Sequence, residues 1–351
     1  MASEVLFQQL APFPADIPVA PLYTFRLVDL GSGDQAVAKD LVAACQELGF
    51  FQLDLRADEI GDAAIGEIDQ LFGVGKDLLD LPPETKAKFL HDAPRSFLGF
   101  KPRGQAKIET GEPDRFEWFN VGQDGLKGNT APQPLPPLMH DNLPLLTSFL
   151  DHGQSIVNTI SRSLATQLGL PADAISSLQQ PDKLSGTVIR FIKAFASPDN
   201  QRTNMIHHTD FGTITLLANL LGGLQILAPQ GHPEDKSAWL WVRPQPGCLI
   251  VNLGDAMVQW TGGLLRSNVH RISVAPGEQR LFDRYSLALL VRPERDASMR
   301  KLTGSAKDSK DGDDDNGDLT AWQWEVKKAM ALTRDAAMVQ SKGGNPTPLK
   351  S

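Results

Sequence analysis

His208, Asp210 and His270 are the residues of this chain best suited to chemistry. His208 and Asp210 lie in the run Met205–Leu217, which reads as one β-strand because β-branched and apolar residues dominate it. Residues two apart on a strand share a face, so His208 and Asp210 are expected on one side and His207 and Thr209 on the other. His270 belongs to a second alternating run, Ser267 to Val274, whose shared face carries His270, Ile272 and Val274. Two imidazoles and a carboxylate from two strands make a metal site with open positions. That set suits a non-heme Fe(II) centre, and it could equally hold Zn(II) in a hydrolase.

The next strand separates the two. Arg284-Tyr285-Ser286 puts Arg284 and Ser286 on one face, fourteen residues after His270, which is room for a hairpin back to the same cavity. A guanidinium pairs bidentately with a carboxylate, and a hydroxyl beside it adds a further bond. Such an anchor suits a dicarboxylate co-substrate whose other end chelates the metal. A zinc hydrolase has no use for it.

Strands and helices must hold these side chains. Phe25–Leu30 reads as a short strand, Gln35–Leu48 as a helix ended by Gly49, and Phe50–Leu53 as a strand. A second helix runs from Ile60 to the Pro82-Pro83 stop, where Pro83 opens a short helix to Phe89. Residues 91–135 read as glycine-rich loop with aromatic and basic residues, and Leu143–Leu170 as one long helix. After Pro181 short strands follow: Gly186–Phe195, Met205–Leu217, Gly223–Leu227, Leu240–Val242, Cys248–Leu253, Met257–Trp260, Asn268–Ala275 and Arg284–Val291. Helices preceding strands, not alternating with them, indicate a jelly-roll or barrel and disfavour a doubly wound parallel sheet. Thr320–Leu332 reads as an amphipathic helix with Trp322, Val326, Ala329 and Met330 on its apolar side. Residues 1–22 read as a surface arm, and Gly304–Asp318 and Gly343–Ser351 as disordered.

Length and composition set outer bounds. A chain of 351 residues with 41% hydrophobic and 22% charged residues is long enough for a sizeable core and ordinary in make-up. A net charge of −8 argues against a nucleic-acid partner. No signal peptide or membrane-spanning run is evident, and Cys45 and Cys248 read as buried thiols of a reducing compartment. The expected setting is therefore cytoplasmic, with a small-molecule substrate, no membrane, and a monomer or weak homo-oligomer.

Five segments in fixed order carry a resemblance: His208-x-Asp210, Asn252-Leu253-Gly254-Asp255, Trp260-Thr261-Gly262-Gly263, Ser267–Arg271 and Arg284-x-Ser286. Over residues 20–335, and most specifically 186–291, the chain resembles the isopenicillin N synthase-like family of Fe(II)- and 2-oxoglutarate-dependent oxygenases. The resemblance implies an α+β, mainly β fold: a double-stranded β-helix (jelly-roll) core with a helical N-terminal half and a C-terminal helix packed against it. The implied division is 1–180 helix-rich, 181–300 oxygenase core, and 301–351 acidic loop, helix and tail. It also implies that His208, Asp210 and His270 ligate iron and act in catalysis, and that Arg284 and Ser286 bind the far carboxylate of 2-oxoglutarate. Fe(II), 2-oxoglutarate and O2 would then be the cofactors. The reaction would be hydroxylation, desaturation or cyclisation at an unactivated C–H of a secondary-metabolite intermediate, with succinate and CO2 released. An iron-dependent oxidase that does not use 2-oxoglutarate is the alternative. The family usually carries a tyrosine near the position of Ala194, which this chain lacks, with Lys193 available to replace its bond. Phe100, Arg103, Phe116, Trp118, Phe195, Phe211 and Trp322 are the candidate substrate contacts.

Overall fold

The computed structural model describes residues 10–93, 95–108, 110–198, 203–302 and 316–334. Its core is two β-sheets. The strands are β1 (Thr24–Arg26), β2 (Phe50–Asp54), β3 (Gly99–Lys101), β4 (Phe116–Gly122), β5 (Val188–Ala194), β6 (Thr203–His208), β7 (Ile214–Asn219), β8 (Leu224–Leu227), β9 (Trp239–Trp241), β10 (Cys248–Leu253), β11 (His270–Ser273) and β12 (Arg284–Val291). The major sheet has the order β1-β2-β10-β7-β12-β5-β4-β3, and the minor sheet β6-β11-β8-β9. Phe50, Ile192 and Ile250 of the first meet Leu224, Ile226 and Ile272 of the second in a buried cluster. This is the expected jelly-roll.

Alternation explains how the major sheet serves two layers. Phe191, Val251, Leu287 and Leu289 turn outward into a large core with the helices α1 (Gln35–Glu47), α2 (Glu59–Leu79) and α3 (Leu143–Gln167). Their neighbours in sequence face the space between the sheets. Two glycines bring the helices close. A Cβ on Gly75 of α2 would lie 2.5 Å from Phe191, and one on Gly153 of α3 would lie 2.4 Å from Leu289. Asp34 and Asp58 start α1 and α2 by accepting backbone N–H bonds of the first turn.

Several expectations need correction. Met205–Leu217 is not one strand: β6 ends at His208, a turn follows, and β7 begins at Ile214 in the other sheet. Gly212 is the reason, because a Cβ there would sit 2.2 Å from Val291 O and the backbone must pass that close to cross over. Residues 25–30 contain only the end of β1 before a short helix, Leu27–Gly31. Met257–Trp260 belongs to the short helix α4 (Asp255–Trp260), whose N–H groups are spent on the turn described below. The stretch 91–135 contains β3 and β4, the latter buried along its whole length. With β1 and β2, these strands place part of the expected helical half inside the major sheet.

The C-terminal helix α5 (Ala321–Arg334) forms where expected. It buries Ala321, Trp324, Glu325 and Ala329, however, and exposes Trp322 and Met330. Cys45 is buried and Cys248 half-buried, both free, and burial pushes both thiols upward, Cys248 to about 11. Most of the acidic run (303–315), the tail and residues 1–9 lie outside the described residues. No helix among the described residues is long and apolar enough to cross a membrane.

Candidate active site

The side chains of His208, Asp210 and His270 converge between the sheets, although not by the route expected. His208 ends β6, and His270 begins β11 directly opposite it in the antiparallel register. Their ring centroids are 4.4 Å apart. Asp210 reaches them from the turn. That turn is clamped from behind by α4, where Asp255 N–H donates to Asp210 O at 2.8 Å and Ala256 N–H to Gly212 O at 3.1 Å. Asp210 Oδ1 then lies 3.9 Å from Nε2 of each histidine, and one donor atom from each of the three falls within 4.8 Å of the others.

Neighbours fix the direction of every donor. His208 Nδ1 lies 3.0 Å from Ile206 O, and His270 Nδ1 3.1 Å from Asn268 O. A carbonyl only accepts, so each Nδ1 donates its proton there and each Nε2 is the nitrogen turned to the centre. Asp210 Oδ2 accepts from Asn252 Nδ2 and Thr215 Oγ1, both at 2.8 Å, which leaves Oδ1 for the centre. Burial works to raise the Asp210 pKa, but His270, His208, Asn252 and Thr215 outweigh it and hold the carboxyl at about 2. Burial, helped by His270, pushes His208 down to about 4, so its ring is neutral at pH 7. Two imidazole nitrogens, one ionised oxygen and a sparse set of three donors fit a divalent cation with open positions.

Arg284 and Ser286 turn inward from β12, at 2% and 3% exposure. Arg284 Nε donates to Gly222 O at 2.8 Å. Its Nη2 and the Ser286 Oγ are buried with no hydrogen-bond partner among the described residues. Two unsatisfied polar atoms on one strand face are costly unless an anion takes both. Burial pushes Arg284 down to about 10, and it remains charged at pH 7.

Ala194 lies directly opposite Arg284 in the β5–β12 register, so the missing tyrosine would have stood beside this pair. Lys193 does not replace it. On the other face of β5, Lys193 bonds Asp80 at 2.6 Å and pairs with Asp283 at 3.1 Å.

A cavity of about 290 Å³ opens nearby, lined by Phe211, Trp322, Asn120, Arg190 and Arg292 among others. Of the candidate substrate contacts, Phe211 and Trp322 line it. Trp118 and Phe116 lie buried between the sheets, Trp118 under the Arg190 guanidinium at 4.9 Å. Phe100 packs in the helix-side core. Arg103 and Phe195 stack on each other at 4.8 Å, outside this cavity's lining. Sequence reasoning missed Asn120, Arg190 and Thr215. Arg190 was findable, because alternation from Ala194 through Ile192 turns it inward. Asn252 was legible only as part of its motif.

Comparison with known proteins agrees with this geometry. The sequence profile of the 2OG-Fe(II) oxygenase superfamily matches residues 185–293, and that of the non-haem dioxygenase in morphine synthesis N-terminal region matches 17–141. A 2-oxoglutarate-dependent dioxygenase of Gibberella zeae is 30% identical over 321 residues, covering 89% of this chain and 88% of the relative. One from Aspergillus fumigatus is 29% identical over 312 residues, covering 83% and 80%. Among solved structures, a full-length Neurospora crassa protein in complex with alpha-KG superposes with a TM-score of 0.73 at 20% identity, covering 92% of this chain and 99% of that one. The rice dioxygenase for auxin oxidation gives 0.63 at 19%, covering 88% and 95%. At these identities the structures speak for the fold alone.

Proposed function

The chain belongs to the 2OG-Fe(II) oxygenase superfamily and is a dioxygenase using Fe(II), 2-oxoglutarate and O2, and from that premise we propose that His208, Asp210 and His270 hold the iron and Arg284 with Ser286 grips the far carboxylate of 2-oxoglutarate. The observation that carries this assignment is the pairing of three converging donor atoms with two buried, unsatisfied donors on the neighbouring strand. When bound, the iron with its co-substrate and O2 supplies the power to oxidise a substrate C–H bond, and succinate and CO2 leave.

The protein's own part is positional. The two Nδ1–H bonds lock the imidazoles in one tautomer, and Asn252 and Thr215 keep Asp210 from rotating. Arg284 orients the co-substrate by charge and by its planar fork. The apolar space between the sheets keeps bulk water from the reacting atoms. The substrate is a small to mid-sized organic molecule, in this reading a secondary-metabolite intermediate, and the cavity beside Phe211 receives it.

The oxidase alternative that dispenses with 2-oxoglutarate is set aside, because the relatives are 2-oxoglutarate-dependent and both Arg284 and Ser286 are present. The test is succinate release with Fe(II) and substrate. His208→Ala and Asp210→Ala should each reduce it to background. Wild-type turnover in either variant would overturn the ligand assignment. Turnover without 2-oxoglutarate, tolerant of Arg284→Ala, would restore the oxidase.

A further inference from the structure

Arg190 is a cation without an ion-pair partner among the described residues. It sits on β5, half-buried, with its side chain in the cavity. Its Nε donates to Asn120 Oδ1 at 2.8 Å, and Asn120 Nδ2 donates to Phe97 O at 2.7 Å. That relay fixes one edge of the guanidinium and leaves the terminal nitrogens for another acceptor. Its Cζ lies over the Trp118 ring, 4.9 Å from the centroid. The neighbouring cations are already paired: Arg292 with Glu325 at 2.7 Å, and Arg295 with Asp124 at 3.9 Å. The acid whose field reaches Arg190 is Asp210.

A charge count then decides what the cavity wants. This step rests on the ligand assignment above. Fe(II) on Asp210 leaves one positive charge. The 2-oxoglutarate dianion with Arg284 at its far end brings the total to zero. The charge on Arg190 is left over, half-buried in the cavity wall, where an unpaired ion is costly. Arg292 beside it is matched by Glu325 and adds no net charge, so Arg190 carries the surplus alone.

We propose that the substrate is an organic acid whose carboxylate pairs with the terminal nitrogens of Arg190. Its carbon skeleton then lies along Phe211 and Trp322, which line the cavity. The C–H to be oxidised is at the end remote from the carboxylate, facing His208, Asp210 and His270. Arg190 is in this account a specificity-determining residue, and Asn120 is the positioning residue that aims it.

Isothermal titration of the full chain, loaded with Mn(II) and 2-oxoglutarate, tests this without turnover. The probes are benzoate, phenylacetate and cinnamate, each against its methyl ester. In the wild type the acids should bind about tenfold or more tighter than the esters. Arg190→Gln should erase that preference while 2-oxoglutarate affinity stays within about twofold, and Arg190→Lys, which keeps the charge but not the fork, should fall between. The proposal is overturned if acids and esters bind alike, if neither binds, or if Arg190→Gln weakens 2-oxoglutarate about tenfold, which would give Arg190 to the co-substrate. Succinate is not read here. A chain that prefers acids but makes no succinate would fail as an oxygenase and still pass this test.

Discussion

Asp210 divides its two oxygens between two duties. Oδ2 is held by Asn252 and Thr215, and Oδ1 faces the histidines. Neither holding residue touches the metal in our assignment, yet each sets where the carboxylate points. Asn252→Ala and Thr215→Val should therefore each lower metal affinity by about 10- to 100-fold, as loss of such supporting bonds does elsewhere, measured by competitive titration with a chelator. Unchanged affinity in both would mean the turn alone positions Asp210. For the co-substrate, Arg284→Ala removes a charge-assisted pair worth roughly 1.5–3 kcal/mol. The KM for 2-oxoglutarate should rise about 10- to 100-fold, with a smaller rise for Ser286→Ala.

Among the elements, the contact between α3 and β12 depends on Gly153, which lies against Leu289. Gly153→Ala forces helix and sheet apart and should cost about 1–3 kcal/mol by urea unfolding. Gly153 packs on the helix side of β12, opposite the inward face that carries Arg284 and Ser286, so 2-oxoglutarate binding by the folded protein should be unaffected.

The end of α2 carries a polar cluster around Asp80. Burial acts to raise the pKa of Asp80, but Lys193, Lys76 and Tyr285 bond it and hold its carboxyl far below the usual carboxylate range. A depressed carboxylate stabilises the fold above its unfolded pKa of about 3.9 and loses that contribution as pH falls through the folded value. Asp80→Asn should therefore lower stability at pH 7, and its deficit against the wild type should shrink below about pH 4. A deficit constant with pH would contradict the cluster's role.

These same elements show what the sequence could and could not tell. Helices α1, α2 and α3 were legible because their apolar spacing and their stops, Gly49 and Pro82-Pro83, are local. Strands β5, β10 and β12 were legible by alternation and by apolar, β-branched composition. The break between β6 and β7 was not, because what forces it is Val291 O pressing on Gly212 from a strand distant in sequence. The three converging donors were legible by residue type and order, but the expected reason for their convergence was wrong: Asp210 points inward from a clamped turn. Strand β4 was hidden because its run from Phe116 to Gly122 mixes Glu117 and Asn120 into an apolar stretch. Its pairing with β5 supplies what local pattern lacks.

Taken whole, the molecule places the metal centre we propose where the sheets meet. His208 and His270 come from the minor sheet, and Asp210 from the turn that leads into the major one. A cation bound there ties the two sheets together and binds only the folded chain. Mn(II) with 2-oxoglutarate should therefore raise Tm by several degrees at a hundredfold excess over Kd, where linkage gives about 2.7 kcal/mol. A chelator should reverse the shift, and His270→Ala should abolish it. We further propose a monomer or weak homo-oligomer, to be checked by light scattering across concentrations. The most direct test of the central claim is anaerobic titration of the Fe(II)-loaded protein with 2-oxoglutarate, followed by the visible charge-transfer band that chelation produces. The wild type should develop the band with saturation. His208→Ala, Asp210→Ala and His270→Ala should not develop it, and Arg284→Ala should need about tenfold or more co-substrate to reach it. A full band in any of the three ligand variants, or one whose midpoint ignores Arg284, would contradict the account.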